Sequence, residues 1–264
     1  MRAHGYDGID YQGFCSIENS PLYKMPEGEL ERYLIEFKEC AHANGLQIHQ
    51  LHGVWPHVDD ATREGRNKTI EYLKSNIRCA QKLGCPHVVI HPCMPSLYTD
   101  KLADEQEEFE VNGYLLESLA PVAKECGVMV CFENMPFPQK SAFSSVSNIK
   151  RLLSQVQNEH IKACLDCGHF NCEKKDIREA ICLLGSDLAA LHVHDDRYGQ
   201  DRHLIPFQGE IDWDGFIQGL KAIGYQGYIS LETWIREKTP QPMLEQMQIQ
   251  LSNIAQYFAE EIEK

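Results

Sequence analysis

The sequence predicts an α/β fold, a TIM (β/α)8-type barrel lacking its first strand at the N-terminus, with residues 1–264 forming a single barrel domain. Three observations predict it. Short β-branched runs alternate with longer amphipathic stretches, the pattern of repeated βα units. The turns are short and repeat one device, a glycine that closes a helix and feeds the next strand. The length of 264 residues also suits one barrel, which typically takes roughly 250.

The runs, in order, are YDGIDYQ, LQIHQLH, HVVIHP, VMVCFEN, IKACLDCG, LAALHVHD and GYISLET. The helix before HVVIHP, TIEYLKSNIRCAQKLG, places Ile70, Leu73, Ile77, Ala80 and Leu83 at three- and four-residue steps and stops at Gly84. The turns NGLQ, LGCPH, CGVMV and IGYQG repeat the glycine stop. Only MRAHG precedes the first run, so seven runs stand where a barrel needs eight, and the expected absentee is the strand, with most of its helix, before YDGIDYQ. The final stretch, MLEQMQIQLSNIAQYFAEEIEK, carries Met243, Met247, Leu251, Ile254 and Phe258 on one stripe and is expected to pack on the barrel.

Composition narrows the function. The 39 acidic residues outnumber the 25 Lys and Arg, and a formal net charge of −14 makes nucleic acid a disfavoured partner. No stretch approaches the roughly 20 apolar residues that cross a bilayer, and the N-terminus has no apolar run of a secretion signal. No membrane partner is expected, and the chain reads as cytoplasmic. Its 11 cysteines, many in apolar runs, suit reduced thiols. Cys164 and Cys167 form a lone CxxC with Asp166 inside it, a weak redox or zinc-finger signal.

Barrel chemistry gathers at the C-terminal strand ends. Six of the seven runs end in metal-ligand types: His49 and His52, His91, Glu133, Asp166 with His169, His192 and His194, and Glu232. They recur about one βα unit apart, so they can converge on one mouth. Any one carboxylate could cap a helix or pair with an arginine. Glu133, Asp166 and Glu232 together, each after an apolar run, call for a cation, because a buried carboxylate is costly without compensation. With a histidine the set is oxygen-rich and mixed, suiting Mn²⁺, Zn²⁺, Co²⁺ or Mg²⁺. His192 and His194, two apart on a strand, face the same way and both qualify. His49 and His52, three apart, face opposite ways, with His52 the better candidate and His49 structural. The loop DDRYGQDRHLIPFQGEIDW carries Asp201 and His203 in a D-x-H pair followed by Gly209 and Glu210, whereas Asp195, Asp196 and Gln200 taken singly read as solvated loop residues. Trp55, Phe137 and Trp234 sit just past strand ends, placed either to stack on a sugar or to close the barrel top.

The set GYDGID, HP after HVVI, FENMP, LDCGHFN, HVHDD, DRHLIPFQGEIDW and ISLET resembles the xylose isomerase-like barrel superfamily of sugar and sugar-phosphate isomerases and epimerases, over nearly the whole chain. By that resemblance the metal ligands of the epimerase branch fall on Glu133, Asp166, His192 and Glu232, with His169 as a substrate contact and the two glutamates as proton carriers. His192 is preferred to His194 because it fits the family's spacing to the acidic residue three later, here Asp195. The endonuclease IV branch uses three zinc ions and further ligands that match His52, His91, His169, Asp201 and His203, with His194 a possible additional metal or substrate contact.

These observations together predict a divalent-metal-dependent isomerase that moves a proton next to a carbonyl through an enediolate, on a sugar or sugar phosphate, using Glu133 and Glu232. Trp55, His169 and Arg202 are the expected substrate contacts, although Arg202 and Arg197 could equally lie on the surface. The alternatives are an endonuclease IV-like zinc phosphodiesterase and a non-catalytic sugar-binding barrel. Related barrels are often dimers and an unpaired barrel edge favours association, which makes a homodimer possible.

Overall fold

The computed structural model describes residues 1–136, 139–172, 175–236 and 238–264. Six strands form one parallel sheet in sequence order: β1 (Gly8–Tyr11), β2 (Gln47–His52), β3 (His87–Ile90), β4 (Met129–Glu133), β5 (Ile161–Asp166) and β6 (Leu188–His192). The crossovers are α1 (Glu27–Ala43), α2 (Arg63–Leu83), α3 (Glu105–Cys126), α4 (Val146–Val156), and the pair α5 (Cys167–Asn171) and α6 (Ile177–Leu184). Beyond β6 come α7 (Trp213–Ile223) and α8 (Gln241–Glu263).

Local chemistry sets the helix limits. Thr62, Asp104 and Asp212 accept the N–H of Gly65, Glu107 and Gly215 at the starts of α2, α3 and α7. At the other ends Gly84, Gly127 and Gly224 take φ of 69°, 65° and 65°, the left-handed turn expected of LGCPH, CGVMV and IGYQG. The apolar stripe of α2 is buried as its spacing demands: Leu73, Ile77, Ala80 and Leu83 are fully enclosed against the sheet. On α8, Leu251 and Phe258 are buried, whereas Met243, also assigned to the stripe, is exposed. The first turn of α8 therefore projects past the surface on which the rest of the helix rests. Phe258 closes an aromatic cluster with Trp213 and Phe216, at ring-centre distances of 5.0 and 5.5 Å.

The sheet curls until its ends approach. The Gln50 side chain on β2 reaches the Leu191 carbonyl on β6 at 3.4 Å, and the His52 and His192 rings stack at 5.6 Å. Past β6 the chain adds a single parallel bridge, Val193 to Leu231, with Val193 N–H donating to Ser230 O at 2.8 Å and Glu232 N–H to Val193 O at 3.1 Å. The GYISLET run is thus a short ladder rather than a full seventh strand. It has a main-chain partner on the β6 side. Toward β1, among the described residues, it is met by side chains: Ser230 Oγ lies 3.4 Å from Asp10 Oδ2, and Tyr228 stacks on His49 at 4.4 Å. A cleft of about 470 Å³ runs along this seam under α8. No described helix is long and apolar enough to cross a membrane.

Period-two alternation builds the interior in layers. Val89, Cys131, Cys164 and Ala190 form an inner cluster separate from the helix-packed core. Residues two further along the same strands, His91, Glu133, Asp166 and His192, face the same interior, one layer nearer the C-terminal mouth. All 11 cysteines are free, and Cys164 and Cys167 are fully buried with thiols pushed well up by that burial, unlike a redox pair.

Candidate functional site

His52, Glu133, Asp166 and His192 are the last residues of β2, β4, β5 and β6, His91 follows β3 directly, and Glu232 follows the Leu231 bridge. Asp166 and His192 are register partners on adjacent strands. One ligand atom from each of Glu133, Asp166, His192 and Glu232 lies within 4.8 Å of the others. His192 Nδ1 stands 2.8 Å from Glu133 Oε1 and 3.3 Å from Glu232 Oε2.

Two further groups flank this one. His52 and His91 share Glu133, with Nε2 atoms 3.7 and 3.1 Å from its Oε2. On the other flank, His169, His194, Asp201 and His203 converge, with His203 Nε2 at 3.2 Å and His169 Nε2 at 3.7 Å from Asp201 Oδ1. His194 Nε2 lies 2.9 Å from Asp166 Oδ1, so this group abuts the central one. The structure brings every metal candidate of the sequence analysis to one mouth. His49 faces away, stacked on Tyr228.

The backbone around these groups is specialised. Asp166 caps the start of α5 by accepting the His169 N–H at 2.7 Å. Gly168 sits where a Cβ would overlap the His194 ring, so the turn tolerates no side chain there. His203 adopts φ of 49°, an uncommon value for a non-glycine residue. Its ring donates from Nδ1 to the Glu232 carbonyl at 2.7 Å and lies between His194 and Trp234, stacked at 3.9 and 4.3 Å.

The donor set fits a divalent cation. Glu133 is fully buried and its Oε2, 3.1 Å from His91 Nε2, makes no aligned hydrogen bond, while His91 Nδ1 has no partner. Such unpaired buried atoms in a native interior ask for a missing partner. Carboxylates and imidazoles are the ligands that Mn²⁺, Zn²⁺, Co²⁺ or Mg²⁺ accept.

A model of the xylose isomerase-like TIM barrel matches residues 1–253. The chain belongs to that family. It is 27% identical over 206 residues to the D-psicose 3-epimerase of Ruminiclostridium cellulolyticum, covering 76% of this chain and 68% of that one. Among solved structures, a D-tagatose 3-epimerase-like protein superposes with a TM-score of 0.78 at 22% identity, over 99% of this chain and 91% of that one. The IOLI protein, solved with a bound zinc atom, superposes with a TM-score of 0.77 at 21% identity, over 98% and 89%. These likenesses establish the barrel. At such identities the chemistry of this member rests on its own residues.

In this barrel the two glutamates are driven apart. Burial opposes ionisation of Glu133, but the His192 and His91 rings outweigh it and hold its carboxyl well below the usual range. Burial raises Glu232, and the nearby Glu133 and Asp166 carboxylates reinforce that against the His192 ring. Burial likewise dominates at His91, lowering it to about 4, while at His194 the Asp166 carboxylate overcomes burial and raises the ring to about 11.

The remaining candidates divide. Trp55 is half-buried and meets His91 edge-on at 4.4 Å, whereas Trp234 is 67% exposed on the rim. Arg197, Arg202 and Gln200 are exposed on the loop, and Phe137 lies outside the described residues. Asp195 and Asp196 are not solvated loop residues: both are fully buried, Asp195 accepting Trp213 Nε1–H at 3.1 Å and Asp196 the Arg202 N–H at 2.6 Å. They pin the loop that delivers Asp201 and His203.

Sequence reasoning passes over two residues. Asn134 clamps Asp166 in both directions, its side chain donating to Asp166 O at 2.9 Å and accepting Asp166 N–H at 2.8 Å, while its own carbonyl accepts His169 Nδ1 at 2.9 Å. Asp10, half-buried on β1, lies 3.3 Å from His192 Nε2. The available signal was the carboxylate near the end of YDGIDYQ, the same signal used for the other runs. A fourth group, His57, Asp60 and Cys93, lies behind Trp55, but Asp60 is satisfied by the His57 ring and the Met94 N–H at 2.9 and 2.8 Å.

Proposed function

We propose that this barrel is a divalent-metal-dependent isomerase or epimerase of a small polyhydroxylated ketose or aldose, free or phosphorylated. The observation that carries this reading is the quartet Glu133, Asp166, His192 and Glu232 at the mouth, with its two glutamates held in opposite protonation tendencies. The sugar epimerase named among its relatives supports the class. Glu133, Asp166, His192 and Glu232 would hold the metal, whose Lewis acidity makes the C–H beside a bound carbonyl acidic.

The chain's own groups then divide the proton work. Glu133, held ionised by the His192 and His91 rings, takes the proton. Glu232, whose carboxyl is raised, returns one, so that the substrate passes through an enediolate and the carboxylates exchange roles in the reverse reaction. Asn134 holds Asp166 and His169 in place, leaving His169 Nε2 free to meet a substrate hydroxyl. Trp55 and Trp234 wall the mouth against bulk water.

Elemental analysis of the purified protein beside Glu232→Ala tests the proposal. One Mn, Co, Mg or Zn per chain, lost in the variant, with turnover of at least one member of a ketose panel, is the expected result. No metal under any loading condition would remove the reading. A second reading, zinc-dependent phosphodiester hydrolysis, is favoured by the two flanking groups and opposed by the charge of −14. Close to three zinc ions per chain would put it first.

A further inference from the structure

We propose that Asp10 is a positioning residue that fixes which nitrogen of His192 faces the centre, an inference that rests on the metal-dependent reading. His192 is fully buried and carries carboxylates at both ends of its ring. Nδ1 points to Glu133 and Glu232, at 2.8 and 3.3 Å, while Nε2 lies 3.3 Å from Asp10 Oδ2. Asp10 Oδ2 is an acceptor hub. Gln50 Nε2 donates to it at 2.8 Å, and the Ser230 hydroxyl lies 3.4 Å away.

Gln50 is itself buried and also reaches the Leu191 carbonyl at 3.4 Å, next to His192, so the hub is braced against the strand that carries the ring. Nε2 faces that oxygen at 3.3 Å without an aligned hydrogen bond and is otherwise buried without a partner, so the Asp10 carboxylate is the acceptor on offer to a proton there. The proton therefore belongs on Nε2, and the Nδ1 lone pair is the one presented to a cation. A ligating histidine commonly has its other nitrogen held this way, and loss of the holder weakens metal binding about 10- to 100-fold. Asp10 stands outside all the groups whose ligand atoms converge, on the far side of the ring, so its contribution is orientation and not coordination.

Asp10→Asn is the discriminating substitution. It keeps the shape, but the Gln50 donor holds the amide oxygen at the hub position, and a neutral oxygen is a weaker acceptor for Nε2–H than the carboxylate, so the hold on the ring's tautomer is relaxed. Zinc affinity is read by competition with a chromophoric chelator at one pH, together with metal-free melting curves. The expected result is a 10- to 100-fold weaker zinc site in Asp10→Asn with the metal-free melting unchanged. Ser230→Ala, which touches the same oxygen but not the ring, should leave affinity as in the parent.

Nitrogen NMR of ¹⁵N-histidine-labelled, zinc-loaded parent protein, with the signal assigned through His192→Gln, supplies an answer even if the Asn variant does not fold. A proton on Nε2 is expected. Unchanged affinity in Asp10→Asn, or a proton on Nδ1 in the parent, overturns the role of Asp10 alone. A parent chain that binds no zinc overturns the metal reading beneath it.

Discussion

Glu108 on α3 shows how far burial, reinforced by the Glu107 and Asp60 carboxylates, can move a carboxyl in this chain. Its Oε2 accepts the Ser141 hydroxyl at 3.1 Å and the Ala142 N–H at 2.8 Å, while Oε1 is buried without a partner. Burial outweighs those bonds and pushes the carboxyl up to about 7. The folded chain therefore holds this proton more tightly than the unfolded chain. Its contribution to stability is complete below the ordinary glutamate range and is lost as pH rises through about 7. Glu108→Gln, neutral throughout, should melt higher than the parent near pH ~8 and no higher near pH ~5. Equal melting at both would show that the carboxyl is not strained. The same scale explains what could and could not be read from the sequence. Glu133, Asp166 and Glu232 stood out because each follows an apolar run, where a charge has no ordinary excuse, whereas His192 was preferred to His194 only through the family resemblance. Asp195 and Asp196 were not, because a polar loop looks solvated until the indole of Trp213 and the backbone of Arg202 are seen to close over them.

Elements were legible where one periodicity dominates. The α2 stripe and the glycine stops follow from local spacing, and the structure reproduces them. The GYISLET run has the composition of a strand, but a ladder needs partners on its flanks, and those come from distant chain. Among the described residues only the β6 side supplies main-chain bonds, and the run stops at one bridge. The α8 helix is the counterpart of this shortfall, because its Phe258 is driven into the Trp213 and Phe216 cluster beside the seam. Phe258→Ala should cost about 3–5 kcal/mol, read as a lower midpoint in denaturant. Met243→Ala, at an exposed position, should change little. If the two substitutions cost the same, α8 is not anchored through its second half.

At the scale of the molecule the ring has one line closed by side chains, between β1 and residues 228–232. The mouth spans it: His52 belongs to β2, Glu232 to the far bank, and both contribute to one group of converging ligand atoms with His192. Hydrogen exchange should find its fastest strand amides along this line in metal-free protein and should slow there on zinc addition. Equal protection with and without zinc would separate the centre from closure. A cation held by Glu133, Asp166, His192 and Glu232 would tie residue 232, on one bank, back to β4, β5 and β6 and so act as a clasp. By linkage, filling the site to about 100 times its dissociation constant adds about 2.7 kcal/mol to the folded state, drawn from no new apolar contact. Metal supply would then govern the working lifetime of the chain as well as its turnover, and protease attack would concentrate on molecules whose clasp is open.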